Sequence, residues 1–148
     1  MPVQTSLFDG TSSGTPSTAM LTAARLSALV QELILLNEEL PIVTDGAREE
    51  AALRRLGLKG AILRCPGEKA LAAFGKRIGR AHPAVIVLTG WDRRGRRLQR
   101  ELVRHLDEAC EDHLYFRHEL KALCAPAIST IEELPAHLAA HAGHPAAT

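Results

Sequence analysis

Residues 84–95 read Ala84-Val85-Ile86-Val87-Leu88-Thr89-Gly90-Trp91-Asp92-Arg93-Arg94-Gly95. Five apolar residues in succession, three of them β-branched and with no polar alternation, describe a strand covered on both faces, as in a parallel sheet. Gly90-Trp91-Asp92 then breaks the run as a turn, and a long helix follows from Arg94 to Cys110. The same alternation recurs upstream. Leu26, Leu29, Val30, Leu33, Leu36 and Leu40 share a helical stripe over Leu21–Leu40, which Pro41 ends. Ile42-Val43-Thr44 is a short strand broken at Asp45-Gly46. Arg48–Leu56 is helical, with Gly57 as its stop. Ala61-Ile62-Leu63 is a second short strand, and Glu68–Ala81 a helix with Leu71, Phe74 and Ile78 on one side. A fourth strand is expected at His113–Phe116, and further helices at Glu119–Leu123 and Ile131–Ala140.

Strands alternating with helices through short connections imply an α/β, Rossmann-like fold: about four mainly parallel strands with helices on both faces. Ligands in such sheets bind outside the carboxyl ends of the strands. The chemistry is therefore expected just after the first and third strands, at Asp45-Gly46 and Thr89-Gly90-Trp91-Asp92. Each place holds a carboxylate and a glycine.

The 148 residues, 46% hydrophobic and 24% charged, suit one ordinary domain. Residues 1–18, rich in Ser, Thr, Gly and Pro, read as a disordered lead without the pattern of a secretory signal. Residues 19–141 form the single domain, and 142–148 a flexible tail. No uninterrupted apolar run approaches about 20 residues, so no membrane partner is expected. Three cysteines without CxxC spacing (Cys65, Cys110, Cys124) make no disulfide framework, which points to a reducing cytoplasm. His137, His141 and His144 have helical spacing for a metal, but no cysteine or acid completes a zinc site. Neither GxxxxGK[ST] nor GxGxxG is present.

Eighteen basic residues against seventeen acidic ones give a net charge of +1, so any polyanion partner must be sought in local clusters. The long helix holds one. Arg93, Arg96, Arg97, Arg100 and Arg104 fall on one face, opposite Leu98, Leu102, Leu106 and Ala109. That face is either a solvated surface partly paired with Glu101, Asp107 and Glu108, or a strip that binds phosphate. Arg93 and Arg94 lie at the strand-end crevice near a helix N-terminus, where anions are favoured. Arg48 occupies the matching place after the first strand. Asp45 and Asp92, each taken alone, read as helix caps; at neighbouring strand ends they also mark an ion or phosphate site. Trp91 is either packed beside the turn or available for base stacking, and packing is the expectation. Cys65 reads as structural.

Ile42-Val43-Thr44-Asp45-Gly46-Ala47-Arg48-Glu49-Glu50 resembles the first signature of the Toprim domain, a strand followed by an acid and a glycine. Val85 through Gly95 resembles the second, a strand ending in Asp-x-Asp, a basic residue and a glycine. Glu50–Gly60, Arg117-His118-Glu119-Leu120 and Thr130–Leu134 are similar to the short stand-alone Toprim proteins of archaea, and the likeness spans about Leu21–Leu138. The resemblance implies a Toprim fold, a role in RNA or DNA processing, and magnesium held by an acid of the first motif and two aspartates of the second. Magnesium prefers oxygen ligands and neutralises phosphate charge. Two positions depart from the pattern: Asp45 stands where glutamate is expected, and Gly90 stands in place of the first aspartate. The expectation is then a nucleic-acid-associated protein with a weakened or lost magnesium site. Asp45 and Asp92 would be what remains of that site, Asp45 being the candidate catalytic acid or base. Arg48, Arg93 and Arg94 would bind RNA or DNA phosphates, within a protein complex. The alternatives are an active magnesium-dependent nuclease, in which Glu49 or Glu50 replaces the absent acid, and a non-catalytic protein-interaction scaffold.

Overall fold

In the computed structural model, which describes residues 15–141, eleven elements alternate as the sequence pattern implies. They are α1 (Thr18–Asn37), β1 (Ile42–Thr44), α2 (Ala47–Leu56), β2 (Ile62–Arg64), α3 (Glu68–Ala81), β3 (Ala84–Val87), α4 (Arg93–His105), β4 (Glu111–His113), α5 (Tyr115–Cys124), a 3₁₀ turn (Ile131–Glu133) and α6 (Leu134–His141). The four strands form one parallel sheet in the order β2-β1-β3-β4, with Ile42 opposite both Ile62 and Ile86. The α/β, Rossmann-like class is therefore correct, with every strand pair parallel.

Strand alternation sorts the core into two layers. Ile42 and Ile86 face one side, with Leu26, Leu29 and Leu33 of α1, Leu53 of α2, Leu120 of α5 and Leu134 of α6. Val43, Val85 and Val87 face the other, with Leu71, Phe74 and Ile78 of α3 and Leu98 and Leu102 of α4. The order of the strands explains the division. From β1 the chain steps one way to β2; from β2 to β3 and from β3 to β4 it steps the other way. Right-handed crossovers then put α2 on one face and α3 and α4 together on the opposite face.

Several boundaries differ from expectation for local reasons. α1 stops at Asn37, before Pro41, and the buried Asn37 side-chain amide holds the turn that follows. It donates to the carbonyls of Leu40 (3.0 Å) and Ala61 (3.1 Å) and accepts the Gly60 N–H (2.8 Å). α4 ends at His105, five residues before Cys110. Leu106 is extended, and Asp107 starts a turn by accepting the N–H groups of Ala109 and Cys110. Ala109 consequently lies outside the helix. The fourth strand is Glu111–His113 instead of His113–Phe116: an edge strand with polar side chains lacks the apolar run that announces a central one, and Tyr115 and Phe116 open α5. α1 also corrects the search for long apolar segments. Over 18 of its 20 residues it reaches a mean hydropathy of 1.5, enough by length and composition to cross a membrane, although Arg25 and Glu32 interrupt the run. Here its buried stripe is part of the core, and Arg25 binds Tyr115 (2.7 Å) and Glu119 (3.4 Å) of α5. Most of the expected N-terminal lead and all of the expected tail lie outside the described residues.

Candidate functional site

The chain leaves β1 toward one edge of the sheet and β3 toward the other, so the carboxyl ends of these adjacent strands flank a topological switch point, where crevices form. Asp45 and the Gly90–Asp92 loop meet there. Asp45 is buried and receives the Gly90 N–H at 3.1 Å on one carboxylate oxygen and 3.4 Å on the other. Thr44 fixes the spacing of the two strands, its hydroxyl donating to the Leu88 carbonyl at 2.7 Å. Burial pushes the Asp45 carboxyl up to about 6, against the opposing pull of the Gly90 N–H; Glu49 adds to the rise and Arg94 opposes it.

Asp92 is the N-cap of α4, with one carboxylate oxygen accepting the Gly95 N–H at 2.7 Å. Gly95 must be glycine, since a Cβ there would fall on the Gly90 carbonyl. Gly90 is crowded too, though less so: a Cβ would lie 2.9 Å from the Ser129 carbonyl oxygen and 3.2 Å from Thr130 Cα. The space a second-motif aspartate would enter is thus filled by backbone. That backbone is held in place, because the Ser129 carbonyl accepts the N–H groups of Trp91 (2.8 Å) and Asp92 (3.1 Å). Trp91 is packed as expected, buried with its indole N–H on the Ile128 carbonyl at 2.8 Å.

Magnesium needs several oxygen ligands in a near-octahedral array. Here both oxygens of Asp45 face a backbone N–H, one oxygen of Asp92 caps a helix, and the position of the third acid is glycine. Glu50 is turned away, bonded to Arg64 at 2.6 Å and near Arg54 at 3.6 Å; Glu49 is the acid on the Asp45 side. Among the described residues, no three His, Cys, Asp or Glu side chains gather as a metal set. The donor set does not fit magnesium in the way the sequence resemblance implies.

Cations lie on the first turns of the two helices that follow β1 and β3. Arg93 and Arg94 are exposed on the first turn of α4, and Arg48 on the first turn of α2. Arg94 also lines a cleft of about 360 Å³ between α3 and α4, with Pro66, Gly67 and Arg97 in its wall. Cys65, at the end of β2, is near both Asp45 and Arg94; burial pushes its thiol up to about 12, which keeps it protonated. The sequence reading missed Arg117. From α5, half-buried, it donates to the Thr89 carbonyl (3.1 Å), the Thr89 hydroxyl (3.2 Å) and the Gly90 carbonyl (2.8 Å). Desolvation lowers its pKa, and Asp45 and Asp92 counteract this. Only its place in the phrase Arg117-His118-Glu119-Leu120 pointed to it.

No family model matches the chain. It is 36% identical over 98 residues to a UPF0292 protein of Thermococcus onnurineus and 35% identical over 98 residues to one of Thermococcus gammatolerans; each match covers 63% of this chain and 69% of the relative. A UPF0292 protein of Methanocaldococcus jannaschii is 27% identical over 111 residues, covering 74% of this chain and 87% of the relative. A solved protein structure from Aquifex aeolicus, 24% identical, superposes with a TM-score of 0.62 over 73% of this chain and 96% of that one, a likeness of fold alone. On the archaeal relatives, the chain belongs to the UPF0292 family.

Proposed function

We propose that this chain is a Toprim-like nucleic-acid-associated protein whose magnesium site is weakened or lost, and that it serves RNA or DNA processing by holding phosphates through Arg48, Arg93 and Arg94. The observation that carries this reading is the use made of the expected acids at the switch point. Asp45 holds the Gly90 N–H, Asp92 caps α4, and the Ser129–Thr130 backbone fills the space beside Gly90. Carboxylates committed to N–H groups are poor magnesium ligands, whereas exposed arginines beside a helix N-terminus suit phosphate. A magnesium-dependent nuclease using Asp45 and Asp92 is the second reading; Glu49, close enough to raise the Asp45 pKa, favours it.

Binding and cleavage of mixed RNA and DNA substrates, with and without magnesium, test this. The expected result is binding at low salt without cleavage, weakened by Arg93→Glu with Arg94→Glu. Cleavage by the wild type that Asp92→Asn abolishes would establish the nuclease instead. Binding unaltered by the arginine changes would remove Arg93 and Arg94 from the reading, and no binding of either nucleic acid at low salt would leave the scaffold in its place.

A further inference from the structure

The two helical layers differ sharply in charge. On one layer, α3 and α4 carry ten Lys and Arg residues against Glu68 and Glu101. On the other, α1, α2, α5, the 3₁₀ turn and α6 carry six basic and six acidic residues. The balance over the whole chain hides this segregation, which the strand order enforces by placing α3 and α4 on the same face. All ten cations are exposed. Only Arg97, 3.0 Å from Glu68, and Arg104, 3.8 Å from Glu101, have an acidic partner among the described residues, which leaves eight available.

The two helices form one plate. A Cβ on Gly75 would lie 3.0 Å from His105 Cβ, and one on Gly79 would lie 2.6 Å from the Asp107 N, so α3 is seated against the end of α4 with no room for a side chain between them. Along α4, Arg93, Arg96, Arg100 and Arg104 recur every three or four residues and span about 16 Å at 1.5 Å per residue. Lys76 and Arg80 continue the cationic surface on α3. Among the described residues this plate offers no open Phe, Tyr or Trp ring for a base to stack on: Phe74 and Trp91 are buried, Phe116 is buried in the other layer, and the exposed Tyr115 belongs to that layer too, bonded to Arg25. A surface rich in guanidinium groups and lacking open aromatic rings suits a phosphate backbone whose bases are already paired.

We propose that α3 and α4 together form a docking plate for the phosphate backbone of a nucleic-acid duplex, running from the strand-end arginines toward Arg80 and Arg104. This rests on the nucleic-acid reading above and extends it to a surface away from the crevice.

The test titrates the full chain against a labelled DNA duplex, the RNA duplex of the same sequence and the matching single strands, between about 50 and 200 mM KCl. One variant carries Lys76→Glu, Arg80→Glu and Arg100→Glu; another carries Arg93→Glu and Arg94→Glu. A glutamine version of the triple variant and circular dichroism guard against loss of folding. The expected result is tighter binding of a duplex than of single strands. The triple variant should bind at least about tenfold more weakly, with a log–log salt slope reduced by about 2 to 3, near one for each phosphate contact removed. An unchanged slope and affinity in the triple variant, with binding lost in the Arg93/Arg94 variant, would overturn the plate and leave the crevice reading intact. Single strands bound as tightly as duplexes would overturn it as well. A wild-type chain that binds no nucleic acid at low salt would remove both.

Discussion

The carboxylate of Asp45 and the backbone N–H of Gly90 are hydrogen-bonded at 3.1 Å across the carboxyl ends of two adjacent parallel strands. This contact ties the first motif to the second. It also makes the carboxylate a buried structural acceptor.

A buried acid whose pKa rises to about 6 from 3.8 gives a definite pH dependence. The folded state binds the proton more tightly than the unfolded state, so this contribution is favourable below about 4 and is lost as pH rises through about 6. The full difference corresponds to about 3 kcal/mol. Asp45→Asn keeps an acceptor for the Gly90 N–H and removes the titration. Urea denaturation from pH 4 to pH 8 should show the variant gaining stability relative to wild type as pH rises; a constant difference across the range would contradict the burial.

Gly90→Asp should not restore a magnesium site. Its Cβ would press on the Ser129 carbonyl, so the loop must shift, at a cost of about 1–3 kcal/mol. Gly90→Ala should lose a similar amount in urea denaturation. Stabilisation of Gly90→Asp by added magnesium would show that the loop gives way and that the site is only dormant.

The N-cap role of Asp92 separates from a metal role by the choice of substitution. Asp92→Ala should lose about 1 kcal/mol, while Asp92→Asn, which still accepts the Gly95 N–H, should lose little. Magnesium should leave the melting temperature of wild type and both variants unmoved. A magnesium-dependent rise in wild type that Asp92→Asn abolishes would assign the residue to an ion.

Arg117 is expected to hold the loop after β3. Arg117→Lys keeps the charge and loses the fork that spans the Thr89 and Gly90 carbonyls, so it should destabilise by about 1–3 kcal/mol. Hydrogen exchange should quicken at the Gly90, Trp91 and Asp92 amides before it does in α1 or α3. Protection unchanged at those amides would place the rigidity of the loop elsewhere.

The central strands and the longer helices were legible because their burial is written in composition: Ala84–Val87 is apolar throughout, and α3 repeats its buried side at Leu71, Phe74 and Ile78. The edge strand Glu111–His113 was not, since its side chains are polar and its identity comes from pairing with β3. The end of α4 was missed for a related reason: Leu106 continues the helical pattern, and only the turn at Asp107 shows that the chain has left the helix. At the site, sequence placed Asp45, Asp92, Arg93 and Arg94 at neighbouring strand ends. It could not show that the Ser129–Thr130 backbone, some forty residues on, fills the space beside Gly90. The roles of Arg117 and Glu50 likewise depend on partners distant in the chain.

The uneven charge of the two layers has a consequence at distances beyond contact. A nearly neutral molecule with ten of its eighteen Lys and Arg residues on one layer carries an electric dipole, and a polyanion exerts a torque on it before the surfaces meet. With a screening length of about 8 Å at physiological ionic strength, that torque acts only over the last few water layers. The crossover handedness of the sheet thereby sets which side of the protein would turn toward any polyanion that approaches it.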